Sequence, residues 1–330
     1  MTRYSACHLV TPDGHGREIL LTVAKATFSI LKKVALLDKQ PPVVKTDSYY
    51  GRPNATSIRE AGELSPVKPF TDIVLRGCAY PKRQGDTQVD VEFQFGELKK
   101  TLTVVGNRVW KKRGTDFLPS EPNALERIPL CYELAFGGVD VSSSSRPSGC
   151  AANPVGLGFA SSRSNHDFSG LHVPNILQPN SRIDSPNAAT DVAGFSWIAP
   201  HWQPRVSLAG RYDDQWLKNR MPNLPDDFQD SFFNAAPQDQ QLKDPIVGGE
   251  HVQITNATRD GFVEFQVPRT SLFLSVCIGD DLVEIPMRCD TAIVHTEKAW
   301  LSLVWRASLD VHQRVPAISW CCIDQGTTQL

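Results

Sequence analysis

The sequence lacks the short motifs by which metal sites and many catalytic sites are recognised. Its eight cysteines form no CxxC pair, and no histidine lies at zinc-ligand spacing from a cysteine pair. Its histidines do not form HExxH, its serines do not form GxSxG, and its glycines match neither a Walker A loop nor the dinucleotide fingerprint. We therefore expect no catalytic residues, no metal and no cofactor.

Other absences bear on partners and location. The 34 basic and 36 acidic residues leave a formal net charge of −2, which provides no electrostatic basis for binding nucleic acid or an anionic membrane. No run approaches the ~18 apolar residues of a membrane helix. The first residues, MTRYSACHLVTPDG, lack the basic and apolar blocks of a signal peptide. These features predict a cytoplasmic protein with reduced thiols.

Turn-forming residues are abundant. The 22 glycines and 24 prolines indicate many turns and long connections, which favours β structure over a helical bundle. We predict a mainly β fold of antiparallel, sandwich-like sheets with a long irregular central segment that carries short helices. A chain of 330 residues fits one large domain, residues 1–330, with 1–117, 118–250 and 251–330 as the alternative subdivision.

Alternating patterns predict the strands. Within Gln88–Val105, two alternating runs flank Gly96-Glu97, which is typical of a hairpin with a type II′ turn. Glu18–Ile30 is also a predicted strand, with a bulge near Val23 where the phase of its apolar residues shifts. Further strands are predicted after the central segment, at His251–Thr255, Gly261–Val267, Leu272–Ile278, Leu282–Arg288 and Trp300–Trp305.

The central segment, His201–Asn256, combines aromatic residues with many Pro, Asp, Asn and Gln and has little periodicity. This composition indicates an ordered but irregular surface, where recognition is often located. Asp213 or Asp214 is positioned to cap a short helix that reaches Arg220 before Pro222. Upstream, Ser142–Ser145 predicts a flexible loop tip.

Several residues of the central segment belong to the types that dominate binding interfaces. The alternative is that the aromatic members only pin the segment onto the sandwich, an interpretation we favour for Trp216, because a helix would place it beside Tyr212. The predicted partner-binding residues are Trp202, Arg205, Arg211, Tyr212, Trp216, Arg220 and Phe228.

The segments around this region resemble a bacterial family of unknown function that is encoded in type VI secretion loci, beside PAAR-like spike proteins and toxic effectors. The resemblance covers about Lys25 to Pro268. It is carried by AFGGVD (Ala135–Asp140), NPVGLGF (Asn153–Phe159), VPNIL (Val173–Leu177), AGFSWI (Ala193–Ile198), the W-x-P-R of Trp202–Arg205, the long motif Ala209–Gln241 and GGE (Gly248–Glu250). The resemblance implies a cytoplasmic, non-catalytic adaptor or chaperone that binds an effector toxin or a PAAR-like or VgrG spike protein and aids its loading.

Three alternatives remain open at this point. A β-sandwich hydrolase or carbohydrate-active enzyme would need facing carboxylates, for which Glu133, Asp213, Asp214 and Glu250 are candidates. The aspartates of the central segment have the oxygen chemistry that calcium prefers, but helix capping explains most of them better. A structural part of the injection apparatus would differ from an adaptor by being secreted in many copies.

Overall fold

A computed structural model describes residues 4–140, 148–161, 166–186, 188 and 190–325. The loop tip predicted at Ser142–Ser145 lies outside these ranges. The strands of the first part of the chain are β1 (Ser5–Pro12), β2 (Glu18–Ser29), β3 (Ala35–Leu36), β4 (Ser48–Tyr49), β5 (Ile58–Glu60), β6 (Thr71–Arg76), β7 (Cys78–Ala79), β8 (Gln88–Phe95), β9 (Leu98–Val105), β10 (Arg108–Arg113), β11 (Asp116–Pro119), β12 (Ile128–Pro129), β13 (Phe136–Gly137) and β14 (Val139–Asp140).

The second part of the chain contains shorter strands, followed by longer ones after the central segment. These strands are β15 (Ser148–Gly149), β16 (Leu157–Gly158), β17 (His172–Val173), β18 (Ile176–Leu177), β19 (Gln241–Leu242), β20 (His251–Thr255), β21 (Phe262–Gln266), β22 (Leu272–Ile278), β23 (Asp281–Pro286), β24 (Arg288–His295), β25 (Trp300–Asp310) and β26 (Ile318–Gln325). The α-helix among the described residues is α1 (Asp214–Asn219), and short 3₁₀ turns lie at Tyr132–Leu134, Arg205–Leu208, Asp230–Phe233, Gln238–Gln240, Thr296–Lys298 and Val315–Ala317. None of the helices in the described ranges has the length and apolarity needed to cross a bilayer.

The largest sheet has seven strands drawn from both ends of the chain. Its order is β1-β2-β25-β24-β6-β19, with β3 beside β2. Its neighbours are antiparallel except β6 and β24, which are parallel. The sheet therefore combines β1, β2 and β6, which precede the irregular middle, with β24 and β25, which follow it, and with β19, which lies within it.

A five-stranded antiparallel sheet, β18-β9-β8-β20-β21, packs against one face of this sheet. Side chains from both sheets, including Leu303 and Trp305 on one side and Phe93 and Leu102 on the other, belong to one buried apolar cluster. The three-stranded sheet β23-β22-β26 contributes Leu274 to the same cluster. Face-to-face sheets around one core make the fold a mainly β, sandwich-like one, as the sequence predicted.

The predicted hairpin is confirmed. β8 and β9 pair in continuous register, from Gln88 opposite Val105 to Phe95 opposite Leu98. Gly96 has a φ of +57°, as the first central residue of a type II′ turn requires. The apolar residues of β8 are buried and alternate with exposed ones, because only one face of the hairpin packs on the core.

The predicted bulge near Val23 is wrong. β2 pairs with β25 in continuous register from Ile19 to Ser29. The alternation of apolar residues along β2 shifts by one position because both faces of this strand are buried. Leu20 and Ala24 face the large core, whereas Leu21 and Val23 face a separate apolar cluster on the other side of the sheet. A strand that is apolar on both faces mimics the signature of a bulge.

The predicted C-terminal boundary of the strand Leu282–Arg288 is also wrong. β23 stops at Pro286, and Arg288 opens a separate strand, β24, in the seven-stranded sheet. The sequence did not reveal β24 because Asp290 and Thr291 interrupt its apolar pattern. Both side chains are nevertheless buried, since they belong to an ionic layer on the outer face of the sheet.

This outer face is covered by the excursion between β3 and β6 and by the irregular central segment. Lys25 of β2 donates to Glu63 of the excursion at 2.7 Å. Arg306 of β25 donates to Asp290 at 2.7 Å, and its Nη1 donates to the backbone carbonyl of Glu63. All four side chains are at least nine-tenths buried. One buried ion pair, Lys25–Glu63, and the hydrogen bond from Arg306 to the Glu63 carbonyl therefore join the sheet to the segment that covers it.

Asp72 of β6 joins the central segment to the same face. Its carboxylate accepts hydrogen bonds from Lys68 Nζ at 2.8 Å, from Asn234 Nδ2 at 3.0 Å and from the Ala235 backbone N–H at 2.9 Å. Lys68 also donates to Thr291 Oγ1 at 2.9 Å. The irregular middle is thus held to the sheet by buried charge-assisted hydrogen bonds, which are stronger than neutral ones.

Candidate partner-binding lobe and adjoining cleft

The predicted helix in the central segment is present. α1 spans Asp214–Asn219, and Asp213 is its N-cap, with its carboxylate accepting from the backbone N–H groups of Gln215 and Trp216. Such a cap satisfies backbone donors that the first helical turn leaves unpaired. Tyr212 and Trp216 meet edge to face with ring centroids 4.8 Å apart. Tyr212 and Trp216 therefore lie side by side, as the sequence predicted.

Hydrogen bonds close the segment Val206–Phe228 into a compact lobe around α1, here called the lobe. The Trp216 indole N–H donates to the Asn223 carbonyl at 2.8 Å. Arg220 donates to the Leu224 carbonyl and forms an ion pair with Asp226 at 2.9 Å. Three-quarters of the Arg220 side chain is covered, so this residue helps to form the lobe and is a poorer contact candidate than the sequence suggested.

Arg211 differs from Arg220 in exposure. Its side chain is 82% exposed and forms an ion pair with Asp227 at 3.0 Å. Hydrogen bonds from the backbone and then from the side chain of Arg211 lower the pKa of Asp227. An exposed pair of this kind is easily exchanged for a new partner, because solvent screens it. Of the predicted arginines, Arg211 is the one best placed to contact another protein.

Phe228 lies at the boundary between the lobe and the body of the protein. Its ring contacts Phe232 at 5.5 Å and Phe233 at 5.3 Å between centroids. The Arg205 guanidinium lies over the Phe232 ring at 5.2 Å. Phe228 is half-buried, so part of its ring supports this aromatic group. Its predicted role in partner binding applies only to the remaining surface.

The Trp202 side chain has no solvent-exposed surface with which to contact a partner. It is fully buried and packs edge to face on Tyr132, with centroids 5.4 Å apart. Its indole N–H donates to His201 Nε2 at 3.0 Å, which requires a neutral imidazole. Burial lowers the pKa of His201 and favours that neutral form, with the Asp47 carboxylate opposing the shift and the Arg205 charge adding to it. Trp202 therefore anchors the central segment, the alternative that the sequence left open for its aromatic residues.

The lobe exposes large apolar side chains despite its internal order. Val206 is 39% exposed, Tyr212 55%, Leu217 55% and Met221 59%. Trp216, on α1, is half-buried. Scattered exposed apolar residues are normal, but several within one short ordered segment indicate a surface that another protein covers. We call this group the lobe surface.

A cleft of about 840 Å³ lies beside the lobe. The segments around Gln203–Leu208 and Gln229–Gln241 contribute most of its walls, and Tyr132 and Lys100 also line it. Lys100 Nζ donates to Asp239 at 2.8 Å and to Gln240 at 2.9 Å, and it lies 5.6 Å from the centre of the Phe195 ring. Burial lowers the pKa of Lys100, and the Asp239 carboxylate opposes that shift. Arg205 lines the same cleft.

The structure does not bring together the candidate carboxylates of a hydrolase. Glu133 accepts hydrogen bonds from the backbone N–H and hydroxyl of Ser57. Asp213 caps α1, and Asp214 is the first residue of that helix. Glu250 accepts from the Val247 backbone N–H at 2.8 Å and from the next backbone N–H at 3.2 Å. Glu133, Glu250 and the adjacent Asp213 and Asp214 therefore belong to three separate local structures.

The metal-ligating side chains are dispersed. Throughout the part of the chain that the structure describes, no group of three or more His, Cys, Asp and Glu side chains is arranged to hold a metal ion. The aspartates of the lobe have other partners: Asp213 is a cap, and Asp226 and Asp227 pair with arginines. All eight cysteines are free thiols.

The fold and the site together define a class: a β-rich protein whose sandwich carries an ordered irregular segment with an exposed apolar lobe and a neighbouring cleft. Comparison with protein families then places the chain. Residues 15–306 match the family DUF2169, described as an uncharacterized protein conserved in bacteria, and the chain belongs to this family. The predicted bacterial family of unknown function is thereby confirmed at that level. No curated protein and no solved structure matches the chain.

Proposed function

We propose that this protein is a non-catalytic adaptor or chaperone that binds a type VI secretion effector or a PAAR-like spike protein and aids its loading for secretion. The observation that carries the proposal is the lobe surface. The association with type VI secretion rests on the resemblance of the central motif, Ala209–Gln241. In the cytoplasm such a protein would bind its cargo before secretion and release it at the spike.

The lobe surface has the properties that a docking site requires. Its apolar side chains lie on or beside the capped helix α1 and a neighbouring 3₁₀ turn, so little conformational entropy is lost when they bind. Tyr212, Leu217 and Met221 are each more than half exposed. Tyr and Trp are enriched in interface hot spots, and Arg211 adds an exposed cation at the rim. These features favour capture of another protein.

The arrangement of the carboxylates also favours binding over hydrolysis. Glycoside hydrolysis needs two carboxyl groups that face one bond. Asp213 is used as a helix cap, and Glu133 and Glu250 accept hydrogen bonds from backbone N–H groups in separate places. A binding role uses none of them as a reactive group.

Co-expression with the toxin or PAAR-like protein encoded beside the gene tests the proposal. We expect a stable complex and a toxin that is insoluble when expressed alone. Leu217→Asp should reduce the recovered partner by about tenfold or more, because burying a leucine contributes about 1.5–3 kcal/mol. Leu282→Asp is the matched control, since Leu282 is 64% exposed on β23, outside the lobe.

Three outcomes of this co-expression experiment are distinguishable. Loss of the partner with Leu217→Asp but not with Leu282→Asp would support docking at the lobe surface. Equal recovery with both variants would remove the lobe surface from the proposal. Absence of any complex, with both proteins soluble, would contradict the adaptor role itself.

A further inference from the structure

Arg205 has an unusual position in the cleft. Its Nη1 donates to the Ile198 carbonyl at 2.6 Å and its Nε donates to the Phe232 carbonyl at 2.9 Å. The Phe232 ring supports the guanidinium from one side. Two backbone carbonyls and a ring therefore fix its orientation. The side chain is only partly accessible, and what remains accessible faces the cleft that it lines.

No described carboxylate forms an ion pair with Arg205. The nearby Asp72 is already bound to Lys68 and to Asn234, and Asp47 accepts a hydrogen bond from the Gly62 backbone N–H. Burial lowers the pKa of Arg205, and the Asp47 and Asp72 carboxylates only partly oppose the shift. Lys100 across the same cleft differs, because Asp239 neutralises it. Arg205 is thus a partly desolvated cation without a counter-ion at contact distance.

The remaining lining of the cleft is suited to a polypeptide backbone. The exposed carboxamides of Gln203, Gln229 and Gln238 make no side-chain hydrogen bonds to other described residues. A carboxamide offers both a donor and an acceptor, which matches the alternating N–H and C=O groups of an extended chain. Ile198 and Leu208 supply apolar wall between them. The cleft therefore combines a fixed cation with unused amide groups.

We propose that this cleft binds an extended peptide segment of the cargo and that Arg205 receives a carboxylate of that segment. Nε and one N–H of Nη1 are engaged with carbonyls, so Nη2 and the second N–H of Nη1 remain to donate to the two oxygens of a carboxylate. The carboxylate is either an Asp or Glu side chain or the C-terminus of the segment. This inference rests on the proposed adaptor function and specifies which part of the cargo is recognised.

Degenerate peptide arrays test the proposal even though the cargo is unidentified. One array carries nonapeptides with Asp or Glu fixed at the centre and the other positions randomised, with amidated C-termini. A second array fixes Asn or Gln instead, and a third combines the Asn or Gln centre with a free C-terminal carboxylate. The purified full-length protein should be retained about tenfold more strongly on the first or the third array than on the second. The first and third arrays distinguish the two sources of the carboxylate.

Variants assign the preference to Arg205. Arg205→Gln should abolish the preference for a carboxylate, and so should Gln203→Glu, which adds a negative charge at an exposed position of the cleft lining. The second variant matters because Arg205 also bridges two backbone carbonyls and its loss can unfold the segment. Arg113→Gln is the matched control, because Arg113 is exposed at the end of β10, outside both the cleft and the lobe. It should bind like the unaltered protein.

Equal retention on all three arrays would overturn the proposal, and so would a carboxylate preference that survives in both Arg205→Gln and Gln203→Glu. The co-expression test of the lobe surface is independent of these results. If cargo is still captured while the arrays show no preference, the cleft proposal fails and the adaptor role stands. If neither cargo nor peptide is bound, both fail.

Discussion

Replacement of Asp72 by Asn tests whether the buried ionic layer holds the irregular segment in place. The Asp72 side chain is fully buried and the Lys68 side chain is 5% exposed. The substitution keeps the shape of the side chain but leaves Lys68 without its counter-charge. It also weakens the hydrogen bonds from Asn234 and Ala235. Removing one partner of a buried ion pair costs about 3–5 kcal/mol, so we expect a loss of that size in the free energy of unfolding.

The assay is urea unfolding followed by tryptophan fluorescence, with hydrogen exchange of the backbone amides around Asn234 as a local measure. Exchange there should accelerate in Asp72→Asn before the global transition is reached. The double variant Lys68→Met/Asp72→Asn should be more stable than Asp72→Asn alone by about 1 kcal/mol or more, because it removes the uncompensated charge. Asp227→Asn, which breaks an exposed pair, should leave the unfolding midpoint unchanged.

Either of two results would contradict a stabilising role of the Lys68–Asp72 pair. One is a loss below about 1 kcal/mol for Asp72→Asn, which lies under the range for a broken buried pair. The other is a double variant no more stable than the single one. In that case the stabilisation would come from apolar packing around the layer and not from the ion pair.

Two further predictions concern pH and aromatic packing. Burial first, and then the charges of Arg76 and Lys298, lowers the pKa of His295 from 6.5 to about 4. The unfolded chain therefore takes up a proton in this range that the native state resists, so stability is complete above pH 6.5 and falls by about 1–2 kcal/mol towards pH 4 after allowance for solvent screening. In His295→Gln the urea midpoint should no longer show this fall in stability between pH 6.5 and pH 4. A pH dependence equal to that of the unaltered protein would contradict the assignment of the fall to His295. Trp202→Ala should lower the free energy of unfolding by about 3–5 kcal/mol because the ring is fully buried. Trp216→Ala should lower it by about 1–2 kcal/mol because that ring is half-buried. Unfolding midpoints in the reverse order would show that the anchoring roles of the two rings are misassigned.

Local features of the fold were predictable because their signals are local. The β8–β9 hairpin followed from alternation and from Gly96, and the start of α1 followed from Asp213. The pairing of β6 with β24 did not follow, since parallel partners so far apart in the chain leave no short-range pattern. The apparent bulge near Val23 failed for a different reason: a strand buried on both faces has no single apolar phase.

The candidate site was predictable in its residue types but not in its geometry. The sequence named Arg205, but only the folded structure shows that none of the described carboxylates forms an ion pair with it. Lys100 was missed although a signal existed. It occupies an inward-facing position of β9 between Leu98 and Leu102, where an apolar residue is expected. A charged residue at such a position indicates a buried partner, here Asp239, which lies far along the chain.

The seven-stranded sheet has a consequence for how the protein is made. Thr27 of β2 forms a hydrogen bond with Ser302 of β25, which is 275 residues further along the chain. At about 5–20 residues per second, a ribosome needs roughly a quarter of a minute to a minute to synthesise that interval. Until then the β25 side of β2, one of the most apolar strands of the chain, has no permanent neighbour. The sandwich therefore closes only after β25 has been synthesised, and a ribosome stalled before β25 would carry a nascent chain with an open apolar sheet edge, prone to aggregation.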